Sequence, residues 1–223
     1  MKTVAIIPAG GTGKRLKARV SKQYLHLDHI PVLIHTLNVF QKSKVIDNIV
    51  LAVPTDDLVS VRQELIDKYG LTKVTTIVAG GRERQDSVRN ALSVIDGKYD
   101  IVLIHDAVRP FVTDKMIKQV VAAAKTTGAA SAGVKAKDTI KETQKDNIVA
   151  TTIPRQNLWL TQTPQAFKFE LLKKAYKTAY DEKFYGTDDA SLVERIGKKV
   201  KMIEGSYENI NRRSRLHRTP TFP

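Results

Sequence analysis

Apolar positions fall into two alternating patterns. Val4–Ile7, Asn48–Val53, Val74–Val78, Ile101–His105 and Ala129–Val134 are near-continuous apolar or small-residue runs of strand length. Between them, Pro31–Phe40, Leu58–Lys68, Asp86–Val94 and Asp114–Lys125 space their apolar residues at helical intervals. Strands apolar on both sides, joined by helical crossovers, predict a parallel sheet covered on both faces. Leu171–Tyr180 and Ala190–Ile196 add two helices, and Val200–Ile203 a last strand.

The alternation breaks at 137–155. Two short polar segments, Thr139–Glu142 and Ile148–Thr152, flank Lys145-Asp146-Asn147. That is the pattern of a β-hairpin with a polar turn. So polar a hairpin has little core to cover. It is expected to project as an arm and to pair with something, such as a second copy of the chain. No repeat or low-complexity tract interrupts the rest, so one domain over 1–223 is expected.

In an open parallel sheet, ligands bind beyond the carboxyl ends of the strands, which directs attention to the loops. After the first strand comes Pro8-Ala9-Gly10-Gly11-Thr12-Gly13-Lys14-Arg15, followed by Lys22-Gln23-Tyr24. Small residues let backbone N–H groups approach phosphate oxygens, and Lys14, Arg15 and Lys22 bring positive charge. The loop is neither of the common phosphate signatures. Arg15 follows Gly13-Lys14 where a P-loop needs Ser or Thr, and Leu16 stands where a dinucleotide fingerprint needs its third glycine. A nucleotide triphosphate fits better than ATPase or hydride-transfer chemistry.

The other loops are similar in character. Gly80-Gly81 can present backbone to a base edge, with a hydroxyl from Ser87; equally, Asp86 or Ser87 can cap the helix that follows. Asp106 and Arg109 can face one cleft from a single turn. Asp106 beside a triphosphate suggests Mg²⁺, while an internal Asp–Arg pair would merely fix the turn. Gln162-Thr163-Pro164-Gln165 and Gly186-Thr187-Asp188-Asp189 read as further loops, the two aspartates suited to capping a helix.

Composition narrows the chemistry. The chain has no cysteine, which excludes disulfides, thiolate catalysis and Cys-ligated zinc. None of the 5 histidines has a partner at metal-ligand spacing, and His105, ending an apolar strand, reads as a core residue. No Ser–His–Asp set is present, so a covalent intermediate is not expected. The formal net charge of +14 is spread along the chain and crowds only at Arg212, Arg213, Arg215 and Arg218. Scattered charge of this kind suits small phosphate-bearing substrates better than nucleic acid. The first apolar run is too short for a signal or membrane segment, so a cytoplasmic protein without membrane or nucleic-acid partners is expected.

Taken in order, several motifs resemble those of the 2-C-methyl-D-erythritol 4-phosphate cytidylyltransferase family. They are Pro8–Gly11 through Arg15, Lys22–Leu25, Gly80-Gly81 with Arg84–Val88, His105–Pro110, Gln162–Phe167 and Thr187–Ala190. Ribitol-5-phosphate cytidylyltransferase is the near relative, but Arg84–Val88 and Ala107 look more like the methylerythritol enzyme. The resemblance implies a Rossmann-like, three-layer α/β nucleotidyltransferase fold with a mostly parallel sheet and a projecting β-hairpin arm. It implies that CTP and methylerythritol phosphate give CDP-methylerythritol and pyrophosphate with Mg²⁺, in isoprenoid precursor biosynthesis. It makes Arg15, Lys22 and Arg155 catalytic. Pro8, Ala9, Gly10, Gly11, Thr12, Gly13, Gly80, Gly81, Ser87, Asp106 and Ala107 would bind CTP. Asp106, Arg109, Arg155, Thr163 and Thr187 would receive the sugar phosphate, with Asp106 a candidate metal contact acting mainly through the phosphates. The arm would join a homodimer, with Arg155 reaching the partner's site.

Two departures stand out. Ser21 replaces the family's usual proline. Asn211 takes the place of a lysine, and the basic tail through 211–223 replaces a Thr-rich turn and closing helix. A weakened grip on the sugar phosphate would leave a CTP-binding but catalytically impaired member as an alternative.

Overall fold

A computed structural model describes residues 1–10 and 22–210, Lys22 through its backbone only. A seven-stranded sheet runs in the order β11-β7-β10-β6-β1-β4-β5. The strands are β1 (Thr3–Pro8), β4 (Asn48–Val53), β5 (Val74–Ala79), β6 (Ile101–Ile104), β7 (Ala129–Lys135), β10 (Trp159–Lys168) and β11 (Lys201–Glu204). β1 lies parallel to both β4 and β6, and β4 to β5. The chain first builds outward from β1 through β4 to β5, then returns to place β6 on the other side of β1. That reversal is the switch point where an open sheet leaves a crevice.

Helices cover both faces. On one lie α1 (Val32–Lys42), the short α2 (Leu58–Ser60) with its wider π-helical continuation Val61–Asp67, and α4 (Asp114–Thr127). They pack Leu33, Leu37, Phe40, Val61, Ile117 and Val120 against Ile7, Leu51 and Leu103 of the sheet. On the other lie α3 (Arg84–Ser93), α5 (Phe169–Asp181) and α6 (Asp189–Arg195), which pack Val88, Leu172, Tyr176 and Leu192 against Val4, Ile6 and Val102. Thr113 caps α4 by accepting from the Met116 N–H, and Gly128 (φ 90°) ends it in a conformation that favours glycine.

The sheet is mostly parallel, with β10 alone antiparallel to its neighbours β6 and β7. One expectation changes. Gln162–Gln165, read as a loop, lies within β10, where the pairing to β7 shifts register between Thr161 and Gln165. The polar and Pro-containing run looks like a loop because a bulge, rather than a turn, accommodates it. A small ribbon of β2 (His26–Leu27) and β3 (Ile30–Pro31) also has no signature in the apolar pattern.

The hairpin forms where expected, from β8 (Ile140–Thr143) and β9 (Val149–Ile153). Its turn holds Asp146 and Asn147 at φ 63° and 61°. Asp and Asn tolerate this region best among residues with a Cβ. The arm is exposed, with Ile148 at 66% and Val149 at 52%. At its base the Arg155 guanidinium donates to the Lys137 carbonyl, and the Lys137 ammonium sits 3.8 Å from the Tyr207 ring centroid. No helix among the described residues is long and apolar enough to cross a membrane.

Candidate active site

The loops leaving β1, β5 and β6 meet at the switch point. Gly10 and Gly80 cross there so closely that a Cβ on Gly80 would lie 3.0 Å from the Gly10 Cα. The Ser87 hydroxyl sits against the crossing and accepts from the Gly81 N–H at 3.1 Å. Several backbone groups expected to face a ligand are already engaged. The Gly80 N–H donates to the Val53 carbonyl, and the Ala9 N–H to the Ala52 carbonyl. The Ala9 carbonyl accepts from the buried Gln23 amide at 2.8 Å. The N–H groups of Gly80 and Gly81 therefore shape the wall of the crevice and are not free to read a base edge. The N-cap of α3 is Glu83, not Asp86 or Ser87; Asp86, the third residue of the helix, completes the capping box by accepting from the Glu83 N–H.

Beyond β6, His105 is fully buried, its ring centroid 5.2 Å from that of Phe40. Burial lowers its pKa from 6.5 to about 4, with only partial opposition from its bond to the Arg109 carbonyl. A carbonyl only accepts, so the ring hydrogen sits on Nε2, 3.1 Å from the Arg109 oxygen. His105 is the core residue its place in the sequence suggests. Ala107 is also buried, and its carbonyl accepts from Thr36 at 2.9 Å. Its methyl belongs to the core, so any part it plays toward CTP falls to its backbone.

Asp106 is the centre of a charged cluster. One carboxylate oxygen accepts from Arg84 Nε at 2.9 Å, the other from Arg109 Nε at 3.3 Å. Burial alone would raise its pKa; the two guanidinium groups reverse this and hold the carboxyl well below the usual range. The Asp106 N–H donates to the Thr163 hydroxyl at 3.0 Å. Arg109 donates onward to the Asn209 carbonyl at 2.7 Å, and the buried Asn209 amide donates to the Thr163 carbonyl at 2.8 Å. Asp106, Arg109 and Thr163 are thus brought together, Asp106 and Arg109 as an internal ion pair within one turn. Thr187 lies in the exposed turn before α6. Asp188 caps that helix by accepting from the Ser191 N–H.

The candidate metal contact reads differently in place. Asp106 is ion-paired to two arginines, and no group of three His, Asp or Glu among the described residues could hold an ion. A metal cage built from described protein groups does not fit here. Gly11, Thr12, Gly13 and Arg15 lie outside the described residues, as does the tail with Asn211. Lys22 opens a 3-10 turn, Lys22–Tyr24, packed beside α1. Arg155 sits exposed at the base of the arm. A separate cavity of about 530 Å³, lined by Tyr24, Pro31, Asp57, Leu65 and Tyr69 among others, contains none of the candidate residues described in the crevice.

Several residues in the crevice carry no signal of their own in the sequence. Arg84 reaches from Asp106 to the buried Asp189, 2.8 Å from its second nitrogen. Gln85 holds the Gly186 N–H and the Phe184 carbonyl. Gln165 donates to Asp188 at 2.7 Å and accepts from the Ala190 N–H at 3.0 Å. Their only trace in the sequence is their place inside the motifs; the partners are 22 to 105 positions away.

A family model for 2-C-methyl-D-erythritol 4-phosphate cytidylyltransferase matches residues 3–215. A protein of that name from Syntrophus aciditrophicus is 51% identical over 209 residues, covering 94% of this chain and 89% of the relative. One from Geobacter metallireducens is 45% identical over 213 residues, covering 94% and 91%. Among solved structures, 4-diphosphocytidyl-2C-methyl-D-erythritol synthase from Anaerococcus prevotii aligns with a TM-score of 0.83 at 30% identity, covering 94% of this chain and 91% of that one. The 2-C-methyl-D-erythritol 4-phosphate cytidylyltransferase of Francisella tularensis aligns at 0.79 and 32% identity, covering 95% and 94%.

Proposed function

The chain belongs to the 2-C-methyl-D-erythritol 4-phosphate cytidylyltransferase family, and we propose that the loops beyond β1, β5 and β6 form its site for CTP and sugar phosphate. It is a CTP-dependent nucleotidyltransferase of isoprenoid biosynthesis, joining CTP and 2-C-methyl-D-erythritol 4-phosphate with loss of pyrophosphate. The names of its relatives favour this substrate over ribitol 5-phosphate.

A phosphate oxygen of the sugar phosphate attacks the α-phosphorus of CTP. The bond from that phosphorus to the bridging oxygen of the β-phosphate breaks, and pyrophosphate leaves. No protein nucleophile is required, so the work is positioning and charge stabilisation. Arg15 and Lys22 hold the triphosphate and stabilise charge on the α-phosphoryl group. Pro8 through Gly13, with Gly80, Gly81, Ser87, Asp106 and Ala107, bind the nucleotide. Asp106, Arg109, Thr163 and Thr187 receive the sugar phosphate. Mg²⁺ would supply charge neutralisation on the triphosphate, with Asp106 the candidate protein contact; among the described residues no group of three side chains could hold the ion alone.

The arm joins two copies, and Arg155 of one copy serves the other's site. The exposure of Ile148 and Val149 supports this, because an isolated hairpin with apolar tips gains little from standing in water.

The observation that carries the reading is the convergence at one switch point of the Gly10–Gly80 crossing and the Asp106–Arg109–Thr163 cluster. The test is pyrophosphate release from CTP and Mg²⁺ with each sugar phosphate. Faster turnover with methylerythritol phosphate is expected. A folded protein that binds CTP but turns over neither substrate would instead indicate an impaired member of the family.

A further inference from the structure

Arg84 is the first residue of α3. A cation there opposes the positive end of the helix dipole. It is also an expensive place to hold a charge, since its side chain is only 24% exposed. The cost is met by two carboxylates from different loops. Nε lies 2.9 Å from Asp106 beyond β6, and the second nitrogen lies 2.8 Å from Asp189 at the start of α6. Asp189 is itself 1% exposed and accepts a hydrogen bond from the Tyr176 hydroxyl. A buried ion pair is weak evidence for stability, because desolvation can cancel the attraction. A local rule broken without a stability gain points to a site.

From this geometry we propose that Arg84 is a positioning residue for nucleotidyl transfer, fixing the Asp106 carboxylate by bridging it to Asp189. The inference rests on the reading of Asp106 as part of the substrate site. Arg109, three residues away, ties the carboxylate within its own turn. Arg84 also ties it to two other loops. One is the Gly80-Gly81 turn, which α3 directly follows. The other is the Thr187-Asp188 turn, which Gln85 and Gln165 also lace to the same region. A planar guanidinium can present two nitrogens to two separate carboxylates at once; an ammonium is a single point charge on a flexible stem.

The test is a double-mutant cycle on the full chain, with kcat and KM measured for the sugar phosphate alongside thermal unfolding. Asp106→Asn alone is expected to lower kcat/KM by at least tenfold. Arg84→Gln is expected to lower it by about tenfold, chiefly through a higher KM, as is usual when a group orienting another is removed. Arg84→Lys, keeping the charge but not the bridge, should fall between Arg84→Gln and the parent. The double variant should be little worse than Asp106→Asn alone, because Arg84 acts through that carboxylate.

Fully additive losses would overturn the proposal. So would an Arg84→Gln protein that unfolds earlier while keeping its sugar-phosphate KM. If Arg84→Gln does not fold, the same cycle with Arg84→Lys decides by the same criterion. An Asp106→Asn protein with unchanged kcat/KM would sink the reading of Asp106 itself, and the proposal with it; that outcome is visible in its own arm of the cycle.

Discussion

A Cβ on Gly81 would sit 2.2 Å from the Cβ of Asp86. The turn after β5 therefore closes on the first turn of α3 with no room for a side chain. Gly81→Ala must push α3 away from the crevice, and overpacking of this kind costs about 1–3 kcal/mol. Thermal unfolding should show that loss, and calorimetry should show weaker CTP binding. Unchanged CTP affinity in a folded Gly81→Ala protein would separate this turn from the nucleotide.

Asn209 joins β10 to the Asp106 turn through Thr163 and Arg109. Replacing it with alanine leaves the buried Thr163 carbonyl without that donor. The expected loss is about 1–3 kcal/mol of stability, with a raised KM for the sugar phosphate and a CTP affinity near that of the parent. Equal losses for both substrates would mean that Asn209 supports the whole crevice and not the sugar side.

His105 should make stability depend on pH. Its folded pKa of about 4 lies below the ordinary 6.5, so between those values the unfolded chain binds a proton that the folded chain refuses. The stability from this residue is fully present above pH 6.5 and is lost as pH falls toward 4, about 3 kcal/mol in all at 1.36 per unit. Denaturant unfolding from pH 7 to pH 4 should show the slope, and His105→Gln should flatten it. A variant with the parent's slope would place the titration elsewhere.

Lys22→Ala is expected to abolish turnover with little change in unfolding temperature, because a point charge on the triphosphate contributes to the reaction and not to the core. Activity within a few-fold of the parent would remove Lys22 from the catalytic set.

Arg155 should complement across the dimer. Lys22→Ala and Arg155→Ala proteins are each expected to be inactive. Mixed and refolded together, random pairing should give about a quarter of the parent activity, since half the dimers are mixed and each has one complete site. No recovery, in dimers shown to have exchanged, would confine Arg155 to its own chain.

The strands and helices were legible because their causes are local. Val4–Ile7, Asn48–Val53 and Ile101–Ile104 are apolar runs that pair only as buried strands, and their helices carry the matching stripes. β10 was not legible. Its central residues Gln162–Gln165 are polar or proline, and the strand carries them between two paired ends: Thr161 pairs with Gly133, and Gln165 with Ile104 on one side and Ser131 on the other. Asp106 and Arg109 could be read as partners because one turn holds both. Arg84 could not, because both of its carboxylates arrive from distant segments.

The sequence by itself determined the alternation of elements, the polar arm with its Asp146-Asn147 turn and the loops rich in glycine and charge. Each follows from neighbours along the chain, through side-chain period and backbone freedom. Only the tertiary structure decided which groups those loops still offer a ligand. Gly80 and Gly81 spend their N–H groups on the protein, and Asp106 is shared between two arginines. Hydrogen bonds and ion pairs saturate their partners, and which partner arrives is fixed by folding, not by spacing.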